Sequence, residues 1–381
     1  MKKERLNQII GLLSLAVTIV IVLSPSLLHA KLKYVGVNLA GAEFGVWDDD
    51  VKLPGVYETD YIYPTSAEVD YYMSKGMNTF RLPFRWERLQ RTLLADFDAD
   101  ELNRMDTFVD YATAKGAYVI IDPHNFHRYD PDPADHQKSE QGLIGSDVPD
   151  AAFADLWGRL AAHYKGNSRV IFGLMNEPNT MPTAQLVGSE NAAIVAIREA
   201  GASNLILVSG NHWSGAWSWN EEEEGGANAE YMLNIVDSGN NFAFEVHQYM
   251  DDDYSGSSPD ITGNNPMTGV NRLTDFTNWL KTYNRKGFLG EFAVANSRVG
   301  TGTEDVGDEV IDNMLSYMER NSDVWLGWTW WAGGPWWGEY MFTLEPTNLG
   351  LSSQGSDRPA MAVLQQHLRN SSLAPLLLLL L

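Results

Sequence analysis

Cysteine is absent from the 381 residues, so disulfides, thiolate metal sites and a thiol nucleophile are all excluded and stability must come from packing. Basic residues are scarce, 27 Lys plus Arg against 50 Asp plus Glu, a formal net charge of -23. Such a surface repels phosphate backbones and anionic membranes, which argues against nucleic acid or a stable membrane partner and favours a neutral substrate. The first apolar run leads into Gly41-Ala42-Glu43-Phe44-Gly45, which is not a glycine-rich phosphate turn. There is no HExxH helix, His124 and His247 stand far apart, and Ser209-Gly210 lacks the GxSxG surroundings of a nucleophilic serine. No metal and no cofactor are implied. From Lys33 to Asn370 there is no Ser/Pro/Gly-rich linker and no fixed-period repeat, so one body without an appended binding module is the simplest organisation, and a monomer is expected.

What is present describes a folded globular chain: 44% hydrophobic and 20% charged residues, enough for a sizeable core. The N-terminus carries Lys2, Lys3 and Arg5, an apolar run from Ile9 to Leu23, and Leu28-His29-Ala30. That order is the pattern of a secretory signal over residues 1–30 and implies an extracellular or periplasmic protein, an uncleaved anchor being the alternative. The main body is expected over 31–371, followed by a leucine-rich tail over 372–381 whose six final leucines are too few to span a bilayer core of about 30 Å. Three acidic runs, Asp48 to Asp50, Glu221 to Glu224 and Asp251 to Asp253, are read as solvated loops, since none has the spacing of a calcium loop.

Short apolar runs alternate with amphipathic segments along the whole body. The strand-like runs are Tyr34 to Leu39, Thr79 to Pro83, Tyr118 to Pro123, Val170 to Asn176, Leu205 to Ser209, Phe242 to Gln248, Phe288 to Phe292 and Val324 to Trp331. Many are apolar throughout, as strands buried on both faces must be. Between them lie helix signals. Thr65 and Glu68 have capping-box spacing before Val69, Tyr72 and Met73, and Gly76 closes the segment. Leu102, Met105, Phe108, Val109 and Ala112 recur at helical spacing up to Gly116, and Phe153, Leu156, Trp157, Leu160 and Tyr164 do so up to Gly166. Eight such alternations predict an α/β fold of the (β/α)8 TIM barrel type, with an open doubly wound sheet as the alternative.

In a barrel the reactive groups sit at the carboxyl ends of the strands. Here those ends read Arg81, His124 with Asn125, Asn176 with Glu177, His247 with Tyr249, Glu291, and Trp330 with Trp331. The two glutamates close the fourth and seventh runs. Glycoside cleavage needs one carboxyl that donates a proton and one carboxylate that attacks or activates water. Arg81 is expected to keep Glu291 ionised, whereas Glu177, the more shielded, holds its proton. Glu245, deeper in its strand than His247, is read as structural. Trp213, Trp217, Trp219, Trp330, Trp331, Trp336 and Trp337 gather after the fifth and eighth runs, some for the core and others as stacking platforms for sugar rings.

These residues resemble glycoside hydrolase family 5, in particular its secreted endoglucanases, over nearly the whole body. Leu174-Met175-Asn176-Glu177-Pro178 resembles the family's acid/base strand and Phe288-Leu289-Gly290-Glu291-Phe292 its nucleophile strand. The resemblance implies that Arg81 steadies the nucleophile, His124 contacts the cleaved sugar and Asn176 binds its 2-hydroxyl. It implies further that His247 touches the acid/base region, Tyr249 bonds the nucleophile, and Trp331 and Trp213 are platforms on either side of the scissile bond. The expected activity is retaining hydrolysis of internal β-1,4 bonds in cellulose or a related β-glucan, with Glu177 as acid/base, Glu291 as nucleophile and carboxyls about 5 to 5.5 Å apart. A β-mannanase and a noncatalytic glycan-binding barrel are the competing readings.

Overall fold

The computed structural model describes residues 31–46, 53–130, 141–222, 225–296, 306–349 and 356–368. The expected signal, the leucine tail and the acidic run at Asp48 to Asp50 lie outside the described residues. Among those described, no helix is long and apolar enough to cross a membrane.

The eight apolar runs become eight parallel strands: β1 (Tyr34–Leu39), β2 (Thr79–Phe84), β3 (Tyr118–Pro123), β4 (Val170–Gly173), β5 (Ile206–Ser209), β6 (Phe242–His247), β7 (Gly287–Glu291) and β8 (Trp325–Gly333). Each pairs with its neighbours in sequence, and β1 pairs with β8, so the sheet closes into a barrel. Closure decides between the two architectures read from the sequence: the fold is a TIM barrel, not an open sheet. Among the described residues, seven helices longer than one turn follow strands: α1 (Ser66–Lys75), α2 (Ala99–Ala114), α3 (Asp150–Tyr164), α4 (Thr183–Glu199), α5 (Thr268–Thr282), α6 (Gly307–Arg320) and α7 (Met361–His367).

The helices form for local reasons that the sequence displays. Thr65 and Glu68 make the capping box of α1, and Gly76 ends it at φ 104°, a left-handed conformation that glycine takes without Cβ strain. On α2 the buried residues are Glu101, Met105, Phe108, Val109 and Ala112, and on α6 they include Val310, Ile311, Met314, Leu315 and Met318, stripes with helical spacing that face the barrel. One expected alternation fails. Between β5 and β6 the described helix is a single turn, Asn228–Tyr231. The stretch from Gly210 to Asn228 is rich in Gly, Ser, Asn, Trp and Glu and carries no apolar stripe, so nothing drives a longer helix onto the sheet.

Inside the barrel the layers differ. Tyr34, Ile120, Ile171, Leu207, Ala243 and Phe288 form a buried apolar plug toward the amino ends of the strands. Above it lie Asn38, Arg81, Asp122, Glu245 and Thr329, all buried. The polar layer is therefore the floor beneath whatever sits at the carboxyl ends.

Candidate active site

The strand ends converge on one cleft of about 540 Å³, lined by His124, Phe126, Glu177, Trp213, Trp217, His247, Tyr249, Tyr254, Glu291, Trp331 and Tyr340 among others. This volume lies in the range of sites that hold a small organic ligand.

Glu291 closes β7 and Glu177 follows β4. One carboxylate oxygen of each, with a ring nitrogen of His247, all lie within 4.8 Å of one another. That spacing belongs with paired acids of about 5 to 5.5 Å rather than the wider pairs of about 6.5 to 9.5 Å that leave room for a water. Strand β4 stops at Gly173, earlier than the sequence pattern suggests, and Glu177 has φ 42°. A left-handed glutamate stores about 1 to 3 kcal/mol of strain, sustained here because the turn aims the carboxylate inward over the barrel.

Arg81 is the hub. Its Nη1 donates to Glu291 Oε1 at 3.0 Å and to Asn38 Oδ1 at 3.0 Å, and its Nη2 lies 2.8 Å from Asn176 Oδ1, 3.0 Å from Glu245 and 3.1 Å from Asp122. Tyr249 donates its hydroxyl to the other Glu291 oxygen at 2.8 Å. Burial, then the neighbouring Glu291 charge, holds that phenol well above its ordinary range, so it remains a donor. His247 places Nδ1 2.7 Å from Glu177 and 3.6 Å from Glu291, and Nε2 3.3 Å from Glu245. Burial opposes charge on this ring, but the Glu291 carboxylate and the bonds to Glu177 and Glu245 outweigh it and push the imidazole up to about 10. The ring and the two glutamates also lie close enough together to surround a metal ion.

His124 is held differently. Burial drives it down to about 3, so it is neutral, with Nδ1 3.0 Å from Asp122 and Nε2 3.1 Å from the Asn176 amide nitrogen. These partners fix the tautomer with the proton on Nδ1 and hold Asn176 between Arg81 and His124. The His124 ring stacks on Trp331 with centroids 5.4 Å apart and planes 15° apart. On the far side of Glu177, Trp213 is 52% exposed and its backbone N–H donates to Pro178 O at 3.0 Å, tying the loop after β5 to the turn that carries Glu177.

Two expectations need correction. Glu291, not Glu177, is the more shielded acid, with side-chain exposures of 5% and 17%. Burial raises the Glu291 carboxyl above the usual range, with His247 and Arg81 pulling it down and Glu177 pushing it further up. Charge pairing by Arg81 does not win outright because its charge is divided among Asp122, Glu245 and Glu291. The second correction concerns loops: Asp251 is not solvated but buried, its carboxylate accepting from the N–H groups of Gly256, Ser257 and Ser258. Of the seven tryptophans, Trp213, Trp217 and Trp331 line the cleft, whereas Trp219 and Trp330 are fully buried in the core.

Sequence reasoning passed over Asn38 and Asp122 as site residues and over Tyr254, whose ring stacks on Trp217 at 4.0 Å and 11°. Asn38 and Asp122 carried a usable signal, since each is a lone polar residue inside an apolar strand buried on both faces. Tyr254 carried none.

The comparisons bear on this geometry directly. A family model described as Cellulase (glycosyl hydrolase family 5) matches residues 37–334. The endo-beta-1,4-glucanase B of Aspergillus niger is 39% identical over 315 residues, 82% of this chain and 85% of that protein. Among solved structures, a triple mutant of an endo-beta-1,4-glucanase from Xanthomonas axonopodis pv. citri is 46% identical with a TM-score of 0.79, covering 88% of this chain and 99% of that one. XacCel5A in complex with cellopentaose is 45% identical with the same TM-score and the same coverage of both chains.

Proposed function

The chain belongs to the cellulases of glycosyl hydrolase family 5, and from that premise we propose that it hydrolyses internal β-1,4 bonds of a β-glucan by double displacement, with Glu291 as nucleophile and Glu177 as acid/base. The carrying observation is the pair of carboxylates within 4.8 Å across one cleft, one of them gripped by Arg81 and Tyr249.

The roles follow from the donors. Two carboxylates this close resist full ionisation together, so the pair retains a proton until its charge is neutralised. Arg81 and Tyr249 address Glu291 and orient its lone pairs, which localises the negative charge there. Glu177 takes the acid/base role because it lies on the more open flank beside Trp213, where a leaving sugar departs and a water enters. Attack by Glu291 on the anomeric carbon breaks the glycosidic bond while Glu177 protonates the departing oxygen. Glu177 next removes a proton from water, which displaces Glu291 and restores both acids. Asn176, fixed by Arg81 and His124, presents its amide where a sugar hydroxyl binds. Trp331 and Trp213 offer ring faces on opposite sides of the reacting bond, suited to the apolar faces of glucose.

The substrate is a neutral polysaccharide, the protein acts outside the cytoplasm as a monomer, and no cofactor enters the chemistry. Glu291→Gly tests the assignment. Turnover on carboxymethylcellulose is expected to fall by about 10⁴-fold while binding of cello-oligosaccharides persists, with azide or formate restoring part of the rate. Near-native activity of that variant would remove Glu291 from the nucleophile role.

A further inference from the structure

Beneath the two acids lies a third carboxylate that the reaction scheme leaves unused. Glu245 on β6 is 1% exposed, and the same oxygen, Oε1, lies 3.0 Å from Arg81 Nη2 and 3.3 Å from His247 Nε2. Nothing about barrel packing alone requires an acid here. The neighbouring strand makes room for it: a Cβ on Gly290, directly before Glu291, would fall 2.3 Å from Glu245 Oε1. Glycine at 290 is therefore what allows the carboxylate to reach across the barrel floor.

We infer that Glu245 is a positioning residue of this reaction: a single carboxylate oxygen anchors the two cations, Arg81 and His247, whose other nitrogens address Glu291 and Glu177. Arg81 uses Nη2 on Glu245 and Nη1 on Glu291. His247 uses Nε2 on Glu245 and Nδ1 on Glu177. The acid pair is thus aimed from below by one negative charge acting through two positive ones, an imidazole that reaches Glu177 and a guanidinium that reaches Glu291. Without the Glu245 charge, the imidazole loses one of the interactions that keep it protonated. The groups facing these cations are Asp122 from β3, Glu177 from the turn after β4, Glu245 from β6, Glu291 from β7 and the neutral His124. Burial raises the Glu245 carboxyl, but Arg81 and His247 overcome this and hold it below the ordinary range, so it is ionised when the enzyme works.

The inference rests on the roles proposed for Glu177 and Glu291. Glu245→Gln keeps the shape and removes the charge. On a soluble cello-oligosaccharide, kcat is expected to fall by about ten- to a hundredfold, the scale of lost hydrogen bonds between charged groups, with KM little changed. The acidic limb of kcat/KM is expected to move to higher pH, because His247, whose Nδ1 lies 3.6 Å from Glu291, is then less readily protonated, and this outweighs the larger share of Arg81 left to Glu291. In protein carrying ¹⁵N-labelled histidine, the His247 imidazolium signal should titrate at lower pH than in the unmodified enzyme. Glu245→Asp, which keeps the charge on a shorter stem, should retain more of kcat than Gln. A folded Glu245→Gln protein with unaltered kcat, acidic limb and His247 titration would overturn the inference. Should Gln fail to fold, the unmodified enzyme carries the test through the same labelled-histidine titration, and a His247 imidazole that titrates at or below the ordinary value of about 6.5 would overturn the inference. Full activity of Glu291→Gly would instead show that the underlying reading had failed.

Discussion

Glu177 and Trp213 show how single residues set the chemistry. Both have positive φ, 42° and 55°, and their turns are joined through Trp213 N–H and Pro178 O. Strain at one is locked by a contact from the other, so the acid and the exposed ring hold a fixed relation. Trp213→Ala is expected to cost about 1 kcal/mol of substrate stacking, about fivefold in kcat/KM on cello-oligosaccharides, without change in melting temperature. Kinetics beside a thermal scan check it, and a loss of melting temperature would mean that the ring packs rather than stacks. At this scale much was legible: His124, Glu177, His247, Tyr249, Glu291 and Trp331 line one cleft, and Arg81 and Asn176 bond to residues in it, whereas Trp330 turns into the core and Asn125 bonds to Glu87. What stayed hidden was protonation. Which glutamate is more shielded depends on the depth of a turn, and no residue pattern around Asn176-Glu177-Pro178 encodes that depth.

Elements were legible wherever local chemistry and packing agree. Thr65, Glu68 and Gly76 announce both ends of α1, and the Met105, Phe108, Val109 and Ala112 stripe announces α2. Between β5 and β6 the expected alternation shrinks to a single turn among the described residues, because residues 210–228 lack an apolar stripe. Strand β4 was drawn three residues too long because Leu174 and Met175 are apolar and buried, yet they already belong to the turn that carries Glu177. Thr65→Ala removes the cap of α1, and Thr65 does not line the cleft. It should lower unfolding free energy by about 1 kcal/mol in denaturant titration and leave kcat unchanged. An unaltered midpoint would show that the box contributes nothing measurable.

Over the whole molecule, the absence of disulfides leaves stability to the core and to buried ionisable groups, which makes it depend on pH. Burial raises Glu43 to about 8, against the bond its carboxylate accepts from Gly41 N–H, and raises Asp122 to about 7 against Arg81. Their unfolded counterparts ionise near pH 4. Between those values the native state binds more protons, so stability present below about pH 4 is lost as pH rises through 7 and 8. His247, raised to about 10, adds a loss in the same direction at higher pH. The opposite limb comes from His124 and His127, each lowered to about 3 by burial, whose contribution is present above about pH 6.5 and is lost as pH falls toward 3. Unfolding in urea at pH 5.5 and 8.5 should show lower stability at the alkaline value. Glu43→Gln should flatten that decline, and an equal decline in the variant would place its origin elsewhere.

The paired acids are tested most directly by trapping the enzyme with a 2-deoxy-2-fluoro cellobioside bearing a good leaving group and mapping the adduct by peptide mass spectrometry. The added sugar is expected on the peptide holding Glu291, and specifically on that side chain. An adduct on Glu177, or no adduct together with products of inverted anomeric configuration, would contradict double displacement through Glu291.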